Sequence, residues 1–143
     1  MTACINKFMT IVFSETRDIE MIQVVLLYKA NRWSSVMKPH SLHQALLNSH
    51  YLVSAWDDTQ LVGIGNAISD GSLVVYYPHL LVHPDYQGQG IGKTLVEMLK
   101  RRYEGFHMQM LVADGEAIAF YEKCGFNKAG NSQAMWIYDG NEH

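Results

Sequence analysis

The sequence is short of several things, and each shortage excludes a class of protein. Among 143 residues there are two cysteines, Cys4 and Cys124, too few and too far apart for a disulfide framework or paired metal ligands. That usage fits a reducing compartment. Charged residues make up 17%, the formal net charge is -3, and the one basic cluster is Lys100-Arg101-Arg102. No nucleic-acid partner and no membrane partner is expected, and the three basic residues read as a favourable helix end. No apolar run is long enough to span a bilayer, and "MTACINKFMTIVFS" lacks the basic and apolar blocks of a signal peptide. The histidines are scattered. His40 and His43 come closest to ligand spacing, yet no acidic or cysteine partner accompanies them, so they read as polar surface or loop residues. Without repeats, low-complexity tracts or linkers, residues 1–143 are expected to form one domain, cytoplasmic by default.

What is present is an alternation of apolar periods, with 48% hydrophobic residues to fill a core. Residues Met9 to Ser14 predict a strand. A helix from about Asp18 would place Ile19, Ile22, Val25, Leu26 and Lys29 on one face, and a second would begin at Ser41 with its serine as N-cap. Three strands follow, "HYLVSAWD", "QLVGIGNAIS" and "SLVVYYPHLLV", with turns at Asp57-Asp58-Thr59 and Asp70-Gly71. They predict an antiparallel meander. A helix from Gly90 to Tyr103 would bury Ile91, Leu95, Met98, Leu99 and Tyr103, before a buried strand "HMQMLVA". A helix from Asp114 to Lys123, capped by Asp114 and closed by Gly125, precedes a last strand "QAMWIYD". The fold class is α/β, a mixed sheet with helices on its faces.

"YQGQGIGKT", residues 86 to 94, is a glycine-rich entry to a helix, the arrangement that cradles phosphates. The Rossmann fingerprint fails because position 93 is lysine, and the Walker A loop fails because its first glycine is Gln87. What remains is a backbone that can approach an anion closely, leading into the partial positive charge of a helix N-terminus. The preceding strand stops at His83-Pro84, so a strand edge and an anion site lie end to end. A ligand with a diphosphate at one end and an amide-bearing arm at the other suits that geometry, as coenzyme A does.

"LLVHPDYQGQGIGKTLVEML" resembles the acetyl-CoA motif of the GNAT superfamily of N-acetyltransferases, Gln/Arg-x-x-Gly-x-Gly/Ala, satisfied by Gln87, Gly90 and Gly92. "ADGEAIAFYEKCGF" is similar to the family's second segment, with Tyr121, Gly125 and Phe126 in place. The likeness runs from "YLVSAWDD" to "MWIY" and looks closest to small bacterial members and plastid arylalkylamine-type acetyltransferases.

The resemblance implies a GNAT fold, a mixed but mostly antiparallel sheet of about six to seven strands flanked by about four helices. It implies acetyl-CoA as cosubstrate, with Gln87, Gly88, Gln89, Gly90, Ile91, Gly92 and Lys93 around the pyrophosphate. Leu80, Leu81 and Val82 would pair with the pantetheine arm beside a bulge that leaves backbone N–H free for the thioester carbonyl. Tyr121 is the expected general acid for the departing thiolate. Asp114 stands where many relatives carry a cofactor-contacting asparagine. For the general base His79 is a candidate, with Asp70 and Glu116 behind it, and water can do the same work. Tyr76, Tyr77, Trp33 and Trp136 suit an aromatic acceptor pocket or an ordinary core. The acceptor expected is a small-molecule amine. A protein N-terminus or lysine is the enzymatic rival, and a non-catalytic acyl-CoA sensor the rival of another class. Pairing of final strands in this fold makes a homodimer an expectation too.

Overall fold

In the computed structural model residues 11–140 are described, so Cys4 and the start of the predicted first strand lie outside them. The chain runs β1 (Ile11–Ser14), α1 (Met21–Ala30), α2 (Pro39–Leu47), β2 (Tyr51–Asp57), β3 (Gln60–Ser69), β4 (Val74–Tyr76), β5 (Leu80–Val82), α3 (Ile91–Arg102), β6 (Met108–Met110) and α4 (Ala117–Lys123). Short 3-10 turns occupy Ser34–Met37 and Pro84–Tyr86.

Six strands form one sheet in the order β1-β2-β3-β4-β6, with β5 also on β3. All pairs are antiparallel except β4 with β6. The meander is as expected, and its turns carry the expected chemistry. Asp58 takes a positive φ of 55°, and the Asp70 carboxylate accepts from the N–H groups of Ser72, Leu73 and Val74.

Two cores cover the faces. Val53, Ala55, Leu95, Leu99 and Tyr103 meet under α3, while Leu27, Tyr28, Leu46, Leu52 and Ile64 meet under α1 and α2. Gly63 and Gly65 are what let α3 lie close on β3: a Cβ on Gly65 would come within 3.2 Å of Leu99, and one on Gly63 within 3.1 Å of Leu95. Ile91, Leu95, Leu99 and Tyr103 are buried as the period demands.

The structure corrects several expectations. Helix α1 buries Val24, Leu27 and Tyr28, while Ile22 and Leu26 are exposed; "MIQVVLLYKA" is apolar around most of its circumference, so periodicity does not select a face. Pro39, not Ser41, opens α2, at the first-turn position where its missing N–H costs nothing. Helix α4 starts at Ala117 without a side-chain cap. Asp114 contributes its backbone carbonyl to the Ala117 N–H. Strand β6 is short and half-exposed, not buried. The "QAMWIYD" segment forms no strand: Met135, Trp136 and Ile137 face solvent, and Ser34–Tyr138 and Lys38–Asp139 contacts tie the segment to the region before α2. Three residues of β6 offer too little ladder to recruit it.

Candidate active site

The strand predicted as "SLVVYYPHLLV" divides. β4 pairs Ile68↔Tyr76 and Ser69↔Val75, whereas β5 pairs Gly65↔Leu80, Ile64↔Leu81 and Gly63↔Val82. Between them residues 77–79 oppose residues 66–67, an insertion of one residue and therefore a bulge. Pro78, which has no N–H to give a ladder, sits in its middle. β4 carries β6 on its far side; among the described residues β5 has no strand there. The sheet thus forks.

Backbone direction at the fork follows the period of two. The His79 carbonyl accepts from the Asn66 N–H (3.1 Å) and the His83 N–H donates to the Val62 carbonyl (2.7 Å). Residues 79, 81 and 83 consequently spend their polar backbone on β3, and Leu80 and Val82 turn theirs into the gap. The side chain of Leu81 is buried in the α1/α2 core. Gln87 reaches the gap as well, donating from its Nε2 to the Val82 carbonyl (3.0 Å).

From Val82 the chain passes through Pro84–Tyr86 into the glycine loop. Gly88 and Gly90 both hold left-handed φ, 79° and 85°, and a Cβ on either would meet nothing within 4 Å. The concavity is open. Gly90 caps α3, and among the described residues the N–H groups of Gly88, Gln89, Gly90, Ile91, Gly92 and Lys93 donate to no protein acceptor. The first internal bond is Thr94 N–H to the Gly90 carbonyl (3.1 Å). A row of free donors at a helix N-terminus, flanked by exposed Lys93, has the chemistry to hold a phosphate. A Cβ on Gly92 would lie in van der Waals contact with Phe120 on α4 and Val82 on β5, so the glycine loop, the free strand edge and α4 converge.

Tyr121 stands in the second turn of α4 and lines a small apolar cleft with Tyr77, Leu80, Leu99, Leu111 and Phe126. Among the described residues its hydroxyl makes no hydrogen bond, and burial, with a smaller contribution from Cys124, pushes its pKa up to about 12. The phenol is therefore protonated at neutral pH.

On the opposite face of the fork, Tyr28 Oη lies 2.8 Å from His79 Nδ1. Trp33 closes the cluster, its ring 4.9 Å from His79 and 5.7 Å from Tyr28, both edge to face. The His79 N–H donates to Asn66 Oδ1 (3.0 Å), and the Asn66 amide donates in turn to Ser49 Oγ (2.9 Å).

Of the predicted site residues, the structure gathers Leu80, Val82, Gln87 to Lys93 and Tyr121 around one gap. It separates the aromatics: Tyr77 points into the α3 core and donates to Gln109 Oε1 (2.7 Å), Trp33 packs on His79, and Trp136 stacks on Tyr138 in the exposed C-terminal segment. Asp70 is spent on its turn, and Asp114 and Glu116 are exposed before α4. His43 Nε2 lies 2.6 Å from the Ile19 carbonyl, and among the described residues no group of three or more His, Cys, Asp or Glu is gathered as metal ligands would be. Sequence reasoning missed Tyr28 and Asn66. An asparagine inside the apolar strand "GIGNAIS" was the available signal, since a buried amide must find partners.

Comparisons with known proteins agree with this geometry. Residues 16–136 match the family described as Acetyltransferase (GNAT) domain. An uncharacterized ycf52-like N-acetyltransferase of Prochlorococcus marinus is 30% identical over 92% of this chain and 77% of its own length. A histone acetyltransferase of Glycine max is 29% identical over 81% of this chain and 55% of its own. Among solved structures, a GNAT-family acetyltransferase of Streptococcus pneumoniae superposes with a TM-score of 0.77 at 27% identity, covering 90% of this chain and 98% of that one. With the forked sheet, the glycine cradle and the second motif in place, the chain belongs to the GNAT family of acetyltransferases, whose general reaction is N-acetylation from acetyl-CoA.

Proposed function

We propose that this protein moves the acetyl group of acetyl-CoA to a primary amine of a small molecule, by direct attack within a ternary complex. The observation that carries the reading is the fork, where the free edge of β5, the donors of residues 88–93 and the Tyr121 phenol face one gap. In this reading Gln87, Gly88, Gln89, Gly90, Ile91, Gly92 and Lys93 hold the pyrophosphate. Leu80 and the N–H of Val82 offer backbone to the pantetheine amides, the Val82 carbonyl being taken by Gln87, with Leu81 anchoring the strand between them. The Leu80 N–H is suited to polarise the thioester carbonyl.

The neutral amine attacks the thioester carbon, a tetrahedral intermediate forms, and the C–S bond breaks to expel coenzyme A thiolate. Tyr121 protonates that sulfur. A phenol of pKa about 12 would protonate a fully solvated thiolate about 5 kcal/mol uphill. A thiolate expelled into the same apolar cleft is desolvated too, and its proton affinity rises with the phenol's. The amine's proton leaves to water. Asp114, exposed before α4, is placed with the cofactor only through the motif.

The partly exposed Trp33 and His79, packed edge to face beside the fork, support a small apolar or aromatic amine as acceptor. A protein lysine or N-terminal amine is the second reading, supported by the soybean relative named as a histone acetyltransferase. The exposed Met135, Trp136 and Ile137 favour a homodimer that covers them. Cys124, a buried free thiol, supports a reducing, cytoplasmic setting.

Free-thiol release from acetyl-CoA, against aromatic amines, polyamines, amino sugars and lysine peptides, tests the reading. Release with small amines, falling sharply in Tyr121→Phe, establishes it. Release confined to peptides moves the acceptor to protein, and cofactor binding without release on any amine leaves a sensor module.

A further inference from the structure

We infer that Tyr28 pins His79 in the Nε2–H tautomer, so that the ring can offer the fork a hydrogen-bond donor and cannot take up the amine's proton. The inference rests on the fork being the transfer site, but its structural half stands alone. Tyr28 is fully buried on α1, and among the described residues His79 Nδ1 is the acceptor its hydroxyl reaches, 2.8 Å away. A phenol has one proton to give. If Nδ1 carried a hydrogen and donated to Tyr28, the phenolic proton would be buried with no acceptor, which favours the other tautomer by roughly tenfold or more. The phenol must therefore donate, Nδ1 must accept, and the neutral imidazole keeps its hydrogen on Nε2. Burial also holds the Tyr28 hydroxyl far above the usual tyrosine range, so it remains a donor.

The ring has little freedom to escape this arrangement. Asn66 clamps the backbone of His79 at both polar atoms, giving its N–H to the carbonyl and taking the amide N–H on Oδ1. Asn66 is itself fixed by Ser49 Oγ, which donates to the Ala45 carbonyl (2.8 Å). Trp33 packs edge to face on the imidazole. A histidine in the fork that looks from sequence like a base is thus held, by a tyrosine fifty-one positions away, in the form whose Nε2 has no lone pair for a proton. Tyr28 and Asn66 are positioning residues in this scheme.

The test uses the full chain with isotope-labelled histidine and a long-range proton–nitrogen spectrum, His79 being assigned by the loss of its signals in His79→Gln. The expected result is an unprotonated Nδ1 and a protonated Nε2 in the wild type, giving way to mixed tautomers in Tyr28→Phe, which removes one oxygen and leaves the ring. An Nδ1–H tautomer in the wild type, or an unchanged spectrum in Tyr28→Phe, overturns the inference. The donor role is read separately from turnover. His79→Gln, whose amide can still donate, should lose less than about tenfold in kcat, while His79→Leu should lose more; a general base would show a loss of about 10²–10⁴-fold in both. Equal deep losses overturn the donor role. If no amine is acetylated at all, the transfer reading fails, while the tautomer spectrum still decides the structural half.

Discussion

The backbone N–H of Phe126 donates to the carbonyl of Tyr121 across 3.0 Å, and the two rings meet edge to face with centroids 5.8 Å apart. With the Gly125 N–H on the Glu122 carbonyl (3.1 Å), this is a Schellman stop, and its apolar contact is between the proposed acid and the residue that ends the helix. Gly125 makes it possible with a left-handed φ of 97°. Gly125→Ala should cost about 1–2 kcal/mol, since its Cβ would meet only the flexible end of Lys100 and the strain is in the backbone. Urea denaturation measures that cost. A drop in kcat with KM for acetyl-CoA little changed would show that the stop aims Tyr121; a stability loss with full kcat would refute the link.

A general acid works in its protonated form, present below its pKa and lost as the pH rises through it. With Tyr121 pushed to about 12, kcat should show no falling limb due to this residue until the pH approaches that value. Tyr121→Phe should lower kcat about 10²–10⁴-fold and leave acetyl-CoA binding nearly intact. A falling limb near neutral pH that disappears in the phenylalanine variant would contradict the buried, protonated phenol.

Gly90→Ala puts a side chain at φ 85° in open space, so any effect comes from the backbone of the cradle. A loss of about 1–2 kcal/mol in stability is expected, together with a raised KM for acetyl-CoA. Gly105→Ala is the control, with φ 89° and equally open surroundings beyond the far end of α3. Comparable destabilisation with no change in KM there would separate strain from phosphate binding, and identical kinetics in the two variants would remove the cradle from the site.

Three backbone N–H groups hold the exposed Asp70 carboxylate, and its pKa is lowered below the ordinary value. A carboxyl with a depressed folded pKa contributes stability fully present above the unfolded value, near pH ~4, and lost as the pH falls through the folded one. Melting curves of the wild type should therefore decline below pH ~4 more steeply than those of Asp70→Asn, which lacks the charge. Parallel curves would mean that the turn draws nothing from the ionised form.

Much of this architecture was legible locally. The hairpin turns, the left-handed glycines and the apolar face of α3 follow from short-range rules, and each behaves in three dimensions as its spacing demands. The errors came where local pattern meets an uneven environment. Helix α1 is apolar on most sides and picks its face by docking, and "QAMWIYD" carries a strand pattern without an adequate edge to pair with.

Sequence alone determined the helices and strands from β1 to β3, the glycine entry to α3 and the pairing of two motifs that mark the family, because these depend on backbone preferences within a few residues. The tertiary structure alone decided that β5 leaves β4, that Leu80 and Tyr121 share a cleft, and that His79 meets Tyr28. Those contacts join side chains far apart in the chain. They depend on the twist of the sheet and on which helix face it buries, and no local period encodes either.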